Sequence, residues 1–497
     1  MHEVELKFQV PPARRAAVDA AVAGRQRAPR MRLQAAYFDT PQRDLASAGL
    51  ALRVRQEGRR WVQTLKGAGA DAMTRMEHNI VLAPTAGAAL VPDPALHAGT
   101  PVGERLLALL KVQPSPVLDC VFRTDVRRRS RRVRTRLGVV ELAFDDGRIV
   151  AGERHVPVCE LEIELQSGSP LAVIAAARPW VQRHGLWLDT RSKAERGDLL
   201  ARGQTQAPPR MARPVALDAG MGMAQVQRAV LASCLDQIGA NASQIASGDH
   251  LDEHVHQLRV GLRRLRTALR FLGGAPELAA LDQEATALFR RLSAARDQAA
   301  VAQPLERTLD AVAARVGVSF EAPASTPAAA ADTALPADDV RSAGAQVLLL
   351  NLIARVHGEP AASDADAAAP RDELARRLNR WHRQVSADAK RFAALDDPGR
   401  HTLRKRAKRL RYAAEFAAAL YPRRAVRAYL KPLRDLLDRL GLLTDTMVAL
   451  EAYRERVTID SRTSFALGWL AAWREQLAAE CEPALAQFLK VKRFWKP

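Results

Sequence analysis

Residues 3–8, EVELKF, alternate charged and apolar side chains with a strict period of two. In an extended strand, positions i and i+2 share a face. Glu3, Glu5 and Lys7 therefore point one way, and Val4, Leu6 and Phe8 the other. Five further stretches read alike: LALRVR (50–55), WVQTLK (61–66), RMEHNIVL (75–82), VVELAFDDGRIV (139–150) and CELEIEL (159–165). They place Arg53 with Arg55, Thr64 with Lys66, Arg75 with Glu77, Glu141 with Asp145, and Glu160 with Glu162 and Glu164. Helical periodicity interrupts them near 12–23, 102–111 and 170–184. An ordinary half-exposed sheet also turns one face to water, but three carboxylates in a row repel one another unless cations sit between them. A sheet closed into a barrel, with helices covering its apolar side, turns the charged face into a lumen. Carboxylate oxygens there suit a hard divalent cation, and guanidinium and ammonium groups suit phosphate.

The rest of the chain is different in kind. After residue 217 the period changes to three and four, so the fold class expected is α+β: an antiparallel sheet that would enclose a lumen if it closes into a barrel, then an all-α part. The junction GQTQAPPRMARPVALDAG is rich in Pro and Gly and reads as a linker. This gives 1–203 for the strand domain, 204–217 for the linker and 218–497 for the helical domain. Ala/Pro-rich segments at about 321–338 and 358–370 read as loops.

Net charge is +20, divided as +10 up to Arg202 and +10 beyond it. A polyanionic partner is expected of both parts. No apolar run of about eighteen residues exists to cross a bilayer. MHEVELKFQV has acidic residues where a secretory signal needs a basic start and an apolar core, so the cytoplasm is expected. Cys120, Cys159, Cys234 and Cys481 lie far apart with no metal-binding spacing and read as reduced thiols. His2, His78, His155 and His184 are isolated. GAGAD (67–71) lacks the Lys-Ser/Thr of a phosphate loop.

The helical part holds an internal repeat. HQLRVGLRRLRTALRF (256–271) and HTLRKRAKRLRYAAEF (401–416) agree at an offset of 145 in His, Leu, Arg, Arg, Leu, Arg, Ala and Phe. Leu258, Leu262, Leu265 and Leu269 form an apolar seam. His256, Arg259, Arg263 and Arg266 run beside it, and His401, Arg404, Lys408 and Arg411 repeat the row. No acidic residue lies between Leu258 and Phe271, or between His401 and Ala414. Such rows predict a polyanionic partner, held by both copies together.

The ordered series EVELK, YFDTP, LALRVR, TLK, RMEHN, VELAFDDG, CELEIEL and SKAERG resembles CYTH domains, the triphosphate tunnel metalloenzymes, and within them the inorganic triphosphatases. The resemblance implies an eight-stranded tunnel that hydrolyses inorganic triphosphate with Mg²⁺ or Mn²⁺. It implies metal ligands among Glu3, Glu5, Glu160 and Glu162, with Glu77, Asp145 and Glu164 as further candidates. Phosphate contacts carry over to Lys7, Arg53, Arg55, Lys66, Arg75 and Lys193, and to Arg123 within a basic stretch, 123–136, that offers several registers. Glu5, Lys7 and Glu162 are the residues expected at the reaction centre. Phosphoryl transfer asks for charge neutralisation and in-line placement more than for covalent help.

The elements H-x-L-R-x-x-x-[RK]-R-L-R resemble CHAD domains, helical modules associated with inorganic polyphosphate that often follow a CYTH domain. Inorganic triphosphate and long-chain polyphosphate are thus the partners expected, with neither nucleic acid nor membrane. Two alternatives stand beside this reading: a nucleotide- or thiamine-triphosphate-processing tunnel, and a non-catalytic polyphosphate-binding protein.

Overall fold

The structure is a computed structural model that describes residues 2–25, 28–69, 73–83, 91–111, 117–273, 276–294, 307–317, 335–358, 370–454 and 461–496. Eight antiparallel strands close on themselves. They are β1 (His2–Gln9), β2 (Arg30–Asp39), β3 (Leu50–Glu57), β4 (Arg60–Ala68), β5 (Thr74–Leu82), β6 (Asp119–Thr135), β7 (Gly138–Ala151) and β8 (Arg154–Gly168). Their order is β5-β4-β3-β2-β6-β7-β8-β1, and a β1–β5 pairing closes the ring. β1 joins both neighbours: Glu3 pairs with Arg75 of β5, and Glu5, Lys7 and Gln9 pair with Glu164, Glu162 and Glu160 of β8. A two-residue strand, β9 (Trp187–Leu188), also pairs with β1.

Alternation sorts the side chains as the period of two dictates. Leu50, Leu52 and Leu65 lie on the outer wall and are buried with Leu45, Val102, Leu106 and Leu110. α1 (Arg15–Ala23) lies against β6 and β7; Leu45 belongs to α2 (Asp44–Ser47), and the last three to α3 (Pro101–Leu110). The outer residues of β1, β7 and β8, including Phe8, Phe144 and Leu161, are covered by α4 (Leu171–His184). The turn after β2 is fixed by Asp39, whose carboxylate accepts hydrogen bonds from the backbone N–H groups of Thr40, Leu45 and Ala46.

The inner wall is not charged throughout. Leu33, Ala35, Tyr37, Phe122, Val126, Ile149 and Val158 share the lumen face by register and pack with Leu200. Leu200 belongs to α5 (Lys193–Ala201), which begins at Ser192, whose hydroxyl caps the N–H of Glu195. This helix plugs one end of the barrel with its apolar side and sends its first turn towards the charged part.

Beyond residue 217 every regular element among the described residues is helical: α6 (Met223–Ala246), α7 (Asp252–Leu272), α8 (Pro276–Ala294), α9 (307–315), α10 (Pro336–Arg341), α11 (Ala343–His357), α12 (Pro370–Lys390), α13 (Asp397–Ala417), α14 (Arg423–Arg454) and α15 (Ser461–Leu489). The α+β architecture expected from the change of period is thus present. The Ala/Pro segments fall mostly outside the described residues, although α10 takes up residues 336–338 of the first. None of the described helices is long and apolar enough to cross a membrane.

The chain forms two compact units. One comprises Met1–Ala212, Cys234–Gly261 and Pro336–Glu359; the other comprises Arg213–Ser233, Leu262–Leu335 and Pro360–Pro497. The barrel unit therefore includes α11 and parts of α6 and α7. Gln346 accepts from the N–H of Leu188 at 2.8 Å, Ser243 from the N–H of Thr190 at 2.9 Å, and Asn351 from Arg178 at 2.6 Å. Every regular element among the described residues of the second unit is helical.

Candidate active site in the tunnel

The charged part of the lumen is built from alternate residues of adjacent strands, so oppositely charged side chains meet across strand pairs. Asp145, Glu160 and Glu162 each bring a carboxylate oxygen within 4.8 Å of the others. Arg128 on β6 grips Asp145 with two parallel hydrogen bonds of 2.6 Å and also reaches Glu162. Lys193 donates to Asp145 at 2.7 Å, to Glu162 at 2.8 Å and to Glu160. Arg196, one turn further along α5, holds the other oxygen of Glu160. Asp145 and Glu160 are fully buried. Burial alone would raise the carboxyls of Asp145 and Glu162, yet Arg128 and Lys193 hold both below the usual range. Lys193 is correspondingly raised against its own burial, chiefly by Asp145 and Glu160.

A second cluster sits where β1 meets β5. Lys66 lies between Glu3 at 2.7 Å and Glu77 at 2.8 Å. Burial pushes Glu3 up to about 8, whereas Lys66 and a hydrogen bond with Glu3 keep Glu77 well below the carboxylate range. Glu5 lies between Lys7 at 2.9 Å and Arg75 at 3.3 Å, and those cations with Lys66 lower it in spite of its burial. Glu164 is raised to about 7 by burial and by Glu5, against the pull of Lys66.

Opposite the carboxylates stand Arg53 and Arg55. Arg53 donates to the Tyr37 hydroxyl at 3.2 Å, and Tyr37 stacks on Phe122 at 4.4 Å. Arg55 pairs with Glu57, and burial together with Arg53 and Arg128 lowers it to about 10. The Nε atoms of Arg53, Arg55 and Arg196 are buried with no hydrogen-bond partner. A buried donor left unmade is costly, so each is a place where an oxyanion acceptor would be favoured. The donor sets fit the groups expected: clustered carboxylate oxygens for a hard cation, unsatisfied guanidinium groups for phosphate.

Most of the residues expected at the site converge here: Glu3, Glu5, Lys7, Arg53, Arg55, Lys66, Arg75, Glu77, Asp145, Glu160, Glu162, Glu164 and Lys193. Arg123 does not. It is exposed and lies on the outer wall, odd-numbered where the inward residues of that strand, Phe122, Thr124, Val126 and Arg128, are even. The inward guanidinium of that strand is Arg128, which pairs directly with Asp145 across β6–β7. Arg196 was also missed, and its spacing of three from Lys193 on a helix was the available signal.

In the helical part the basic rows are less bare than the sequence suggests. Asp282 of α8 receives Arg266 at 3.1 Å and Arg270 at 2.8 Å, and Asp445 of α14 receives Arg404 at 3.2 Å. Glu415, just past the acid-free window, takes Arg411 at 3.0 Å. Arg259 is 8% exposed, so its guanidinium is not part of a solvated row. His256 is exposed, and His401 is half-buried and lowered by burial and the cations around it. The two copies do converge: burial, Arg404 and Arg263 together push Lys408 down to about 8. Arg263, Arg404 and Arg411 thus surround Lys408 as one patch of positive charge, balanced in part by Asp445 and Glu415.

Residues 1–197 match the family model of the CYTH domain, and residues 229–454 that of the CHAD domain. An inorganic triphosphatase of Haemophilus influenzae is 31% identical over 173 residues, which are 34% of this chain and 46% of the relative. The chain thus spans about half the length of that curated relative. Among solved structures, the CHAD domain of the plant Ricinus communis is 27% identical, covering 57% of this chain and 98% of its own, with a TM-score of 0.46. A putative adenylyl cyclase from Hippeastrum with a dominant triphosphatase activity is 18% identical, covering 41% and 98%, with a TM-score of 0.29.

Proposed function

We propose that this chain, a CYTH domain followed by a CHAD domain, hydrolyses inorganic triphosphate in its tunnel and binds longer polyphosphate on its basic helices. The observation that carries the first half is the lumen itself: a three-carboxylate cluster facing buried guanidinium groups whose Nε atoms lack partners. Asp145, Glu160 and Glu162 would hold Mg²⁺ or Mn²⁺, which supplies charge neutralisation and polarises phosphate oxygens. Arg53, Arg55 and Arg128 would take phosphate oxygens as paired donors, with Lys7, Lys66 and Arg75 as point charges or forks around them. These groups gain most as charge builds on the leaving pyrophosphate. Tyr37 keeps Arg53 aimed at the lumen. The raised carboxyl of Glu164 suits it to accept a proton from the attacking water. The lumen groups named above are suited to phosphate oxygens and include no partner for a nucleobase, which favours triphosphate over ATP and over thiamine triphosphate.

Phosphate release from triphosphate, ATP and thiamine triphosphate, with and without metal, tests the reading. Activity should vanish in EDTA, return with Mg²⁺ or Mn²⁺, and fall by about two orders of magnitude in Glu162→Gln. Equal or better kcat/KM on ATP would overturn it. For the helical part, long polyphosphate binding should weaken steeply with salt and in the Arg404, Lys408 and Arg411 triple-alanine variant. Duplex DNA bound as tightly at the same salt would point to a different polyanion.

A further inference from the structure

The carboxylates suited to a metal are already fully engaged. Asp145 is held by Arg128 and Lys193, Glu160 by Lys193 and Arg196, and Glu162 by Lys193 and Arg128. Lys193 has three N–H donors and three carboxylate partners. A bare divalent cation approaching this cluster meets fixed positive charge at short range in a poorly solvated site, where like-charge repulsion is strong. Elsewhere on the lumen wall Arg53 and Arg55 each keep a buried Nε without an acceptor. Arg128 lies on the lumen face of β6 opposite Asp145 of β7, and its charge adds to burial and Arg53 in lowering Arg55, so it adjoins both the carboxylates and the buried guanidinium groups. A polyanion entering there offers Arg128 and Lys193 new charge-assisted acceptors and relieves the repulsion among the arginines.

Resting on the triphosphatase reading, we propose that Lys193 and Arg128 are placeholder cations: they occupy the oxygens of Asp145, Glu160 and Glu162 until triphosphate draws them off. Metal and triphosphate then bind as a positively coupled pair, with the anion making the metal site available. Lys193 and Arg128 are in this sense exchange residues that pass from carboxylate to phosphate. Coupling of this kind is reciprocal, so the metal tightens the anion by the same factor. It also keeps the empty tunnel from retaining stray divalent cations, since without the anion the cluster is neutralised internally.

Mn²⁺ binding to the full chain, followed by electron paramagnetic resonance, reads this without turnover. The anion is imidotriphosphate, whose P–N–P bridges resist hydrolysis, and the complex it forms with Mn²⁺ in solution is allowed for. Mn²⁺ should bind at least tenfold more tightly with the analogue than without it. Lys193→Met should tighten anion-free Mn²⁺ binding at least tenfold and shrink the effect of the analogue, whereas Lys193→Arg should behave as the wild type. Equal Mn²⁺ affinity with and without the analogue in the wild type, at analogue concentrations shown separately to saturate the protein, overturns the proposal. So does Lys193→Met weakening anion-free Mn²⁺ binding. If the analogue does not bind at all but Lys193→Met still tightens Mn²⁺, the triphosphate reading fails while the placeholder role of Lys193 stands.

Discussion

His78 and His97 meet Nδ1 to Nδ1 at 2.9 Å on the outer side of β4 and β5, and the other ring nitrogen of His97 lies 3.0 Å from Gln63. His97 is fully buried. Burial first, and His78 second, lower it to about 4 from an ordinary 6.5. A histidine depressed in the fold stabilises the protein above the unfolded pKa, and that contribution is lost as pH falls from 6.5 towards 4. By pH 5.5 the loss is about 1.4 kcal/mol, one pH unit of proton uptake open only to the unfolded state. Amide exchange of β4 and β5 should therefore show wild type losing that much more stability than His97→Gln between pH 7.5 and 5.5. A difference that does not change with pH would place the role of His97 in packing alone. Such a pair was invisible in the sequence, where His78 read as isolated, because nineteen residues and a turn of 3₁₀ helix (Pro94–His97) separate the partners. The same limit applies to Arg123 and Arg128: alternation defines two sets of arginines, and only pairing with Asp145 says which set faces inward.

At the scale of elements, α5 matters as both plug and carrier of cations. A Cβ at Gly197 would fall 2.2 Å from the ring of Phe122. Phe122 stacks on Tyr37, and Tyr37 holds Arg53, so the close approach of helix to barrel is linked by contact to the phosphate end of the lumen. Gly197→Ala must move the ring or the helix. The cost expected is about 1–3 kcal/mol from overpacking. Displacing α5 also shifts Lys193 and Arg196 relative to Asp145 and Glu160, so kcat/KM on triphosphate should fall at least tenfold. Thermal melting and steady-state kinetics on the same preparation check both; loss of stability with unchanged kcat/KM would separate the plug from the chemistry. The strands were readable because their periodicity is local. The plug was not, since SKAERG tells where a helix starts and not that it enters a barrel.

For the whole molecule, the change of period after residue 217 marks where strands stop, and it carries no information about what the helices pack against. α11 and parts of α6 and α7 belong to the same compact unit as the barrel. There Gln346 caps the N–H of Leu188, Ser243 binds Thr190, and Gln244 accepts from the buried Arg191 at 3.1 Å. Arg191 in turn clamps Asp189 with two hydrogen bonds of 2.9 Å, and Asp189 accepts from Gln9 beside Glu160. Leu186, Trp187 and Leu188 are buried as well. A fragment ending at residue 203 retains every lumen residue named above but loses the helices that satisfy and cover this strip. Several hydrogen bonds at about 1 kcal/mol each, with the apolar area around them, amount to some 3 kcal/mol or more. For a domain of this size that corresponds to a melting temperature lower by roughly 6–12 °C. The 1–203 fragment should therefore hydrolyse triphosphate at low temperature and lose activity on warming well before a fragment ending at residue 359. If the two fragments melt together, the helices are appended to a self-sufficient tunnel, and the capping contacts at Leu188 and Thr190 contribute nothing to its stability.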